Sequence, residues 1–140
     1  MKVAVIYWSG TGNTEAMANA VLEGAKSAGA DAKLFACSDF NLADAKDFDG
    51  FALGCPAMGA EELEDSEFLP LYNDLKASLA GKKVALFGSY GWGGGEWMKL
   101  WEADCFTGAP VKAFDSVISE EAPNDTVLAQ CKELGAAVSK

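Results

Sequence analysis

Strand patterns and helix patterns alternate along the whole of this chain, and few architectures accept that order. Lys2–Tyr7 is β-branched and apolar, the pattern of a buried strand. Glu15–Ala25 is alanine-rich and reads as a helix. Asp31–Ala36 alternates polar and apolar, as a half-buried edge strand does. Ser38–Asp49 is polar, with a short helix expected near Leu42–Lys46. Phe51–Cys55 is a short apolar run and a second buried strand. Phe68, Tyr72, Leu75 and Leu79 recur on one face of an amphipathic helix that Gly81 closes. Val84–Gly88 is the next buried strand, and the glycine-rich loop Ser89–Gly95 leads from it into a helix, Glu96–Cys105. Val111–Phe114 and Val117–Ile118 make a final, broken strand. Leu128, Cys131, Leu134 and Val138 mark a closing helix. Five β–α units in succession predict one α/β domain over residues 1–140, with a parallel sheet and helices on both faces. The apolar runs of the first, third and fourth strands put those three in the middle of the sheet.

The first β–α connection carries the most chemistry. Trp8-Ser9-Gly10-Thr11-Gly12-Asn13-Thr14 joins the end of a strand to the start of a helix. Free backbone N–H groups and the positive end of the helix dipole meet there, which makes an anion site. Ser9, Thr11 and Thr14 add hydroxyls and Asn13 adds an amide. Asn13 or Thr14 is expected to cap the helix. The loop has no Lys, so it lacks the cation of a nucleoside-triphosphate loop. Gly10 and Gly12 match the first two glycines of a dinucleotide loop, but Glu15 stands where the third belongs and would crowd a pyrophosphate. A single terminal phosphate, held by hydrogen bonds alone, suits this loop best.

Ligands of such sheets bind beyond the carboxyl ends of the strands, where strand order reverses. The loops after Tyr7, Cys55 and Gly88 are therefore expected at one rim. The second, Gly54–Glu62, sets Met58 among small residues; the third, Gly88–Gly95, does the same for Trp92. Two large polarizable groups facing each other would clamp a flat ring. Gly59, Gly91 and Gly93 leave backbone groups free to touch its edge. A monophosphate tail and a flat heteroaromatic head together describe FMN.

Two absences exclude other chemistry. The chain has no His, and all eleven basic residues are Lys, so imidazole catalysis, His metal ligation and guanidinium clamps are ruled out. A net charge of −10 disfavours nucleic acid and anionic membranes and favours a basic partner. Cys37, Cys55, Cys105 and Cys131 are too scattered for a zinc site or a dithiol motif and are expected as reduced, partly buried thiols. With no apolar run of membrane length and a strand from the second residue on, the cytoplasm is the expected location.

Trp8–Thr14, Met58-Gly59-Ala60-Glu61 and Gly88–Gly93, in this order, resemble the flavodoxins, and in particular the short-chain type of anaerobic bacteria. The similarity runs end to end. It implies a five-stranded parallel sheet of order 2-1-3-4-5 with FMN at the switch point. It implies that Ser9, Thr11, Asn13 and Thr14, with the backbone of Gly10 and Gly12, hold the phosphate. Met58 and Trp92 would cover the ring faces, and Glu61 would accept from the flavin N3–H. Pro56, Ala57 and Ala60 would line the ring edge, while Ser89, Tyr90 and Gly91 would meet the pyrimidine end. The implied activity is one-electron transport at low potential, mainly between semiquinone and hydroquinone. The implied partners are ferredoxin-type donors and acceptors, met by a monomer with no catalytic or metal-binding residues.

Two electrochemical expectations follow. The family turns the peptide after residue 59 toward flavin N5 on reduction, and a type II turn there asks for φ > 0 at Ala60. Ala in that region costs about 1–2 kcal/mol, so Ala60→Gly is expected to raise the oxidised/semiquinone potential. The acids Glu61, Glu62, Glu64, Asp65 and Glu67 crowd the next segment. Neutralising Glu62, Glu64 and Asp65 is expected to raise the second potential, more at low salt. As helix-start acids they have a purely stabilising alternative. The rival function is a flavodoxin-like FMN-dependent quinone or nicotinamide oxidoreductase, but such chains usually carry insertions for a second substrate, and this one has none. A phosphoacceptor domain would need Asp where Gly54-Cys55-Pro56 stands, and a low-molecular-weight phosphatase would need an Arg.

Overall fold

The computed structural model describes residues 1–58, 62–91 and 93–140. Its elements run β1 (Lys2–Tyr7), α1 (Asn13–Ser27), β2 (Asp31–Ala36), β3 (Gly50–Gly54), α2 (Phe68–Leu75), β4 (Lys83–Tyr90), α3 (Glu96–Cys105), β5 (Val111–Lys112), β6 (Val117–Glu120) and α4 (Asp125–Val138). All pairings between these strands are parallel, in the order β2-β1-β3-β4-β5. β6 lies along the same edge of β4 further up, pairing Phe87–Tyr90 where β5 pairs Lys83 and Val84. The two short strands are the halves of the broken fifth strand. The sheet is thus the predicted one, with β2 at one edge and β1, β3 and β4 inside.

Residues of the inner strands alternate between two cores. Val3 and Val5 of β1, Ala52 of β3 and Ala85 and Phe87 of β4 pack under α1 and α4, against Met17, Val21, Cys131 and Leu134. Ala4, Ile6, Phe51, Leu53, Val84 and Leu86 face α2 and α3, against Phe68, Tyr72, Trp97 and Trp101. Both faces are covered, which is why these strands read as continuous apolar runs. Tyr72 donates to Asp104 Oδ2 at 2.7 Å, and Lys76 pairs with the same carboxylate at 2.9 Å, tying α2 to α3.

Several boundaries differ from expectation. The short helix near Leu42–Lys46 is a 3₁₀ turn, Leu42–Asp47. The helix carrying Phe68 to Leu79 is α-helical only to Leu75 and tightens to 3₁₀ over Lys76–Leu79, while its four apolar positions are all buried. Leu128 of α4 is only partly covered, whereas Cys131, Leu134 and Val138 are fully buried. β4 continues two residues past Gly88, because β6 pairs with Ser89 and Tyr90 and extends the ladder upward.

All four cysteines are free and buried, more deeply than expected. Burial pushes the thiols of Cys37 and Cys105 up to about 11 and that of Cys131 up to about 12. Cys55 is raised too, chiefly by burial. None is a thiolate at neutral pH. Among the described residues no cluster could hold a metal ion. No helix among them is long and apolar enough to cross a membrane.

Candidate functional site

The carboxyl ends of β1, β3, β4 and β6 enclose a cavity of about 490 Å³. Its wall contains Trp8, Ser9, Gly10, Thr11, Asn13 and Thr14 from the first loop and Pro56, Ala57 and Met58 from the second. β4 and its loop add Ser89, Tyr90 and Gly91, and the segment after β6 adds Glu121 and Ala122. Of the seventeen site residues expected from the sequence, eleven stand in this wall. Gly12 and Gly93 stand outside it. Gly59, Ala60, Glu61 and Trp92 lie outside the described residues, and with them the turn at 59–60 and the second cover of the ring.

The first loop is built as a nest of donors. Gly12, at φ 97°, is the residue from which α1 starts, a conformation that a side chain would strain. Neither Asn13 nor Thr14 caps the helix, contrary to expectation; no side chain occupies the N-cap role, and α1 begins at Asn13 itself. Instead Ser9 Oγ accepts from the N–H groups of Gly12 at 3.0 Å and Glu15 at 3.3 Å. With both lone pairs engaged, the Ser9 proton is left to donate outward. The first-turn N–H groups of α1 find no partner within the helix. Glu15 accepts from the Tyr7 hydroxyl at 3.2 Å and lies outside the cavity wall. No Lys lines the cavity among the described residues.

The described residues of the second and third loops are fastened to the sheet. Met58 and Glu62 exchange two backbone hydrogen bonds, 2.8 and 3.0 Å, which pin both ends of the second loop. Met58 is 38% exposed, a surface sulfur rather than a core residue. The Ala57 N–H donates to Ser89 O at 2.9 Å, fastening the second loop to β4. Tyr90 packs on Trp97 at 5.4 Å between ring centroids, and the Trp97 indole N–H donates to Cys55 O at 3.2 Å. These bonds join the described part of the second loop to β4 and α3.

Sequence reasoning missed three wall residues. The Trp8 indole lies over Gly10, within 3.1 Å of where a Cβ there would stand, and its Nε1–H reaches Glu67 Oε1 at 3.4 Å. Trp8 meets the criterion that singled out Met58 and Trp92, a large polarizable side chain among small residues, but its place at a strand end masked it. Glu121 and Ala122 follow a strand end without glycine and gave no local signal. Glu121 has φ 60°, and it alone among the described non-glycine residues has positive φ. Its N–H donates to Tyr90 O at 2.7 Å, which holds the strained bend against the rim.

Glu64, one of the acids in the run after the second loop, is built into the start of α2. Glu64 is only 5% exposed. Its carboxylate accepts from the N–H groups of Ser66 (2.9 Å), Glu67 (2.8 Å) and Phe68 (2.8 Å) and from the Ser66 hydroxyl. Burial pushes this carboxyl up, but the four donors outweigh it and bring it down to about 2. Glu64 secures the start of α2, and its own N–H donates to Cys55 Sγ at 3.4 Å. Of the two readings of the acidic run, helix support is the one this residue fulfils.

The Flavodoxin family model matches residues 5–120. The flavodoxin of Megasphaera elsdenii is 51% identical over 139 residues, 99% of this chain and 98% of that protein. The flavodoxin of Clostridium beijerinckii is 49% identical over 98 residues, 70% of this chain and 71% of that one. The solution structure of two-electron reduced M. elsdenii flavodoxin superposes with a TM-score of 0.87, covering 98% of each chain. A donor-lined cavity at the switch point of a 2-1-3-4-5 sheet, together with these matches from end to end, places the chain in the flavodoxin family, the FMN-binding electron carriers that act with redox partner proteins.

Proposed function

We propose that this protein is a one-electron shuttle and not an enzyme, holding FMN with its phosphate in the first loop and its ring between the second and third. The observation that carries this is the make-up of the cavity wall. Hydroxyls and helix-start amides of the first loop supply donors with no cation, and Trp8, Ala57, Met58 and Tyr90 supply apolar and aromatic surface. Ser9, Gly10, Thr11, Asn13 and Thr14 then hold the phosphate, and Pro56 to Glu61 with Ser89 to Gly93 surround the ring. The residues fit FMN in chemistry and in volume. When bound, the cofactor supplies the redox chemistry; the chain supplies grip, exclusion of water and charge.

The test is uptake and turnover. Purified apoprotein should bind one FMN, become yellow, and take up two electrons in separate steps on dithionite titration. It should show no steady-state NAD(P)H or quinone turnover on its own. A colourless protein that ignores FMN would remove the reading, and turnover without a partner would favour the oxidoreductase.

Charge should set the second potential and the partner. The net charge of −10, Glu121 in the cavity wall, Glu62 paired through its backbone with Met58, and Asp65 three residues on oppose a further negative charge on the cofactor. Glu62→Gln, Asp65→Asn and Glu121→Gln together should raise the second potential by tens of millivolts, a tenfold change being ~59 mV for one electron. The shift should shrink as salt is added. The same acids suit a basic docking surface on the partner, met by a monomer in the cytoplasm, where four reduced thiols persist. Electron transfer to a ferredoxin-type acceptor should slow with ionic strength; a flat dependence would rule out charge-guided docking.

A further inference from the structure

Thr14 and Ser89 stand 75 residues apart in sequence, yet their hydroxyl oxygens are 2.9 Å apart in the cavity wall. Thr14 is 1% exposed and Ser89 5%. Thr14 is the second residue of α1, among the helix-start N–H groups. Ser89 is fixed from several sides: its carbonyl accepts from Ala57, and its backbone pairs with Ser119 of β6. Each hydroxyl has one proton, so only one of the two can donate within the pair.

A phosphate dianion can only accept. If Thr14 donated to Ser89, the phosphate would face a Thr14 oxygen with no proton to give. If Ser89 donates to Thr14, the Thr14 lone pair is filled and its own proton is free for the phosphate. We propose that Ser89 is a positioning residue for the phosphate end: its hydroxyl donates to Thr14 Oγ1 and thereby commits the Thr14 proton to the FMN phosphate. Chains of hydroxyls polarise one another in a buried setting, so the outer bond is strengthened as well as oriented. Ser9 reaches the same condition by filling its lone pairs with two backbone N–H groups. The Ser89 hydroxyl therefore acts on the phosphate through Thr14, while the Ser89 backbone stays with the loop around the ring. The inference rests on the reading that FMN binds with its phosphate in the first loop.

Riboflavin, which has the ring and lacks the phosphate, separates the two. Apoprotein is titrated with FMN and with riboflavin by quenching of flavin fluorescence, for the native chain, Ser89→Ala, Thr14→Val and the double variant. Ser89→Ala should weaken FMN about five- to tenfold, the scale of one net hydrogen bond, and leave riboflavin unchanged. Thr14→Val should weaken FMN further, and adding Ser89→Ala to it should have no added effect, because the two share one bond to the phosphate. Ser89→Cys, nearly the same size and a poor donor, should follow Ser89→Ala if the alanine variant folds badly. Equal losses for FMN and riboflavin, or losses that multiply in the double variant, would overturn the role of Ser89. A native apoprotein that binds FMN no more tightly than riboflavin would instead overturn the placement of the phosphate, and the inference with it.

Discussion

Gly88→Ala should cripple FMN binding although residue 88 is absent from the cavity wall. A Cβ built there overlaps the Cys55 carbonyl oxygen and comes within 3.1 Å of Trp97 Cζ2. The first obstacle is backbone and cannot rotate away. That carbonyl is also the acceptor of the Trp97 indole N–H, the bond that joins α3 to the end of β3. Relief therefore requires β3 and β4 to part at the rim, and the Ala57–Ser89 hydrogen bond opens with them. Overpacking of this kind costs about 1–3 kcal/mol of stability and sometimes more. If about 3 kcal/mol of distortion falls on the bound state, FMN affinity drops roughly a hundredfold. Denaturant melts of the apoprotein and FMN titrations read the two effects separately. Gly108→Ala is the control, since nothing lies within 4 Å of its Cβ. Equal affinities for Gly88→Ala and the native chain would show that the strand spacing at the rim does not govern the site.

The same residue shows what the sequence could and could not say. β1, the donor loop and α1 were legible because period-two, glycine and alanine patterns follow one another without ambiguity. The inner position of β1, β3 and β4 was legible because strands covered on both faces have no polar alternate. Gly88 was ambiguous: read locally it ends a strand, whereas here β4 runs on through it beside β6, and it lacks a side chain because the Cys55 backbone approaches it. Only the pairing with β6 reveals this, and that contact is remote in sequence. The Thr14–Ser89 pair was illegible for the same reason, each residue showing a donor with no hint of its partner. The cap of α1 failed on geometry: a good capping residue was present at 13, but Gly12 takes up the left-handed bend and Ser9 collects the N–H groups. Trp8 was legible in principle, and its position at a strand end concealed it.

Glu64→Gln should lower stability far more than it shifts any potential. The side chain is buried, and three backbone N–H groups and one hydroxyl converge on its two oxygens. Glutamine keeps the volume but turns one oxygen into a donor, facing groups that also donate. The carboxyl falls from its ordinary 4.5 to about 2 in the folded chain. A shift of that size corresponds to about 3 kcal/mol of folding free energy. Because the folded value lies below the unfolded one, this stability is complete above pH 4.5 and is lost as pH falls toward 2. The native protein should therefore lose stability steeply across that window, and Glu64→Gln should already lack it at pH 7 and show a flatter acid limb. Urea melts from pH 7 down to pH 3 supply both curves. An acid at 64 that served only as a charge beside the cofactor would behave oppositely. Its replacement would raise the second potential, leave the melts at pH 7 unchanged and keep the acid limb. The Glu64 N–H ties the start of α2 to Cys55, at the head of the second loop, so a chain weakened at Glu64 should also release FMN more readily as the pH drops. Parallel acid limbs for the two proteins would refute the assignment.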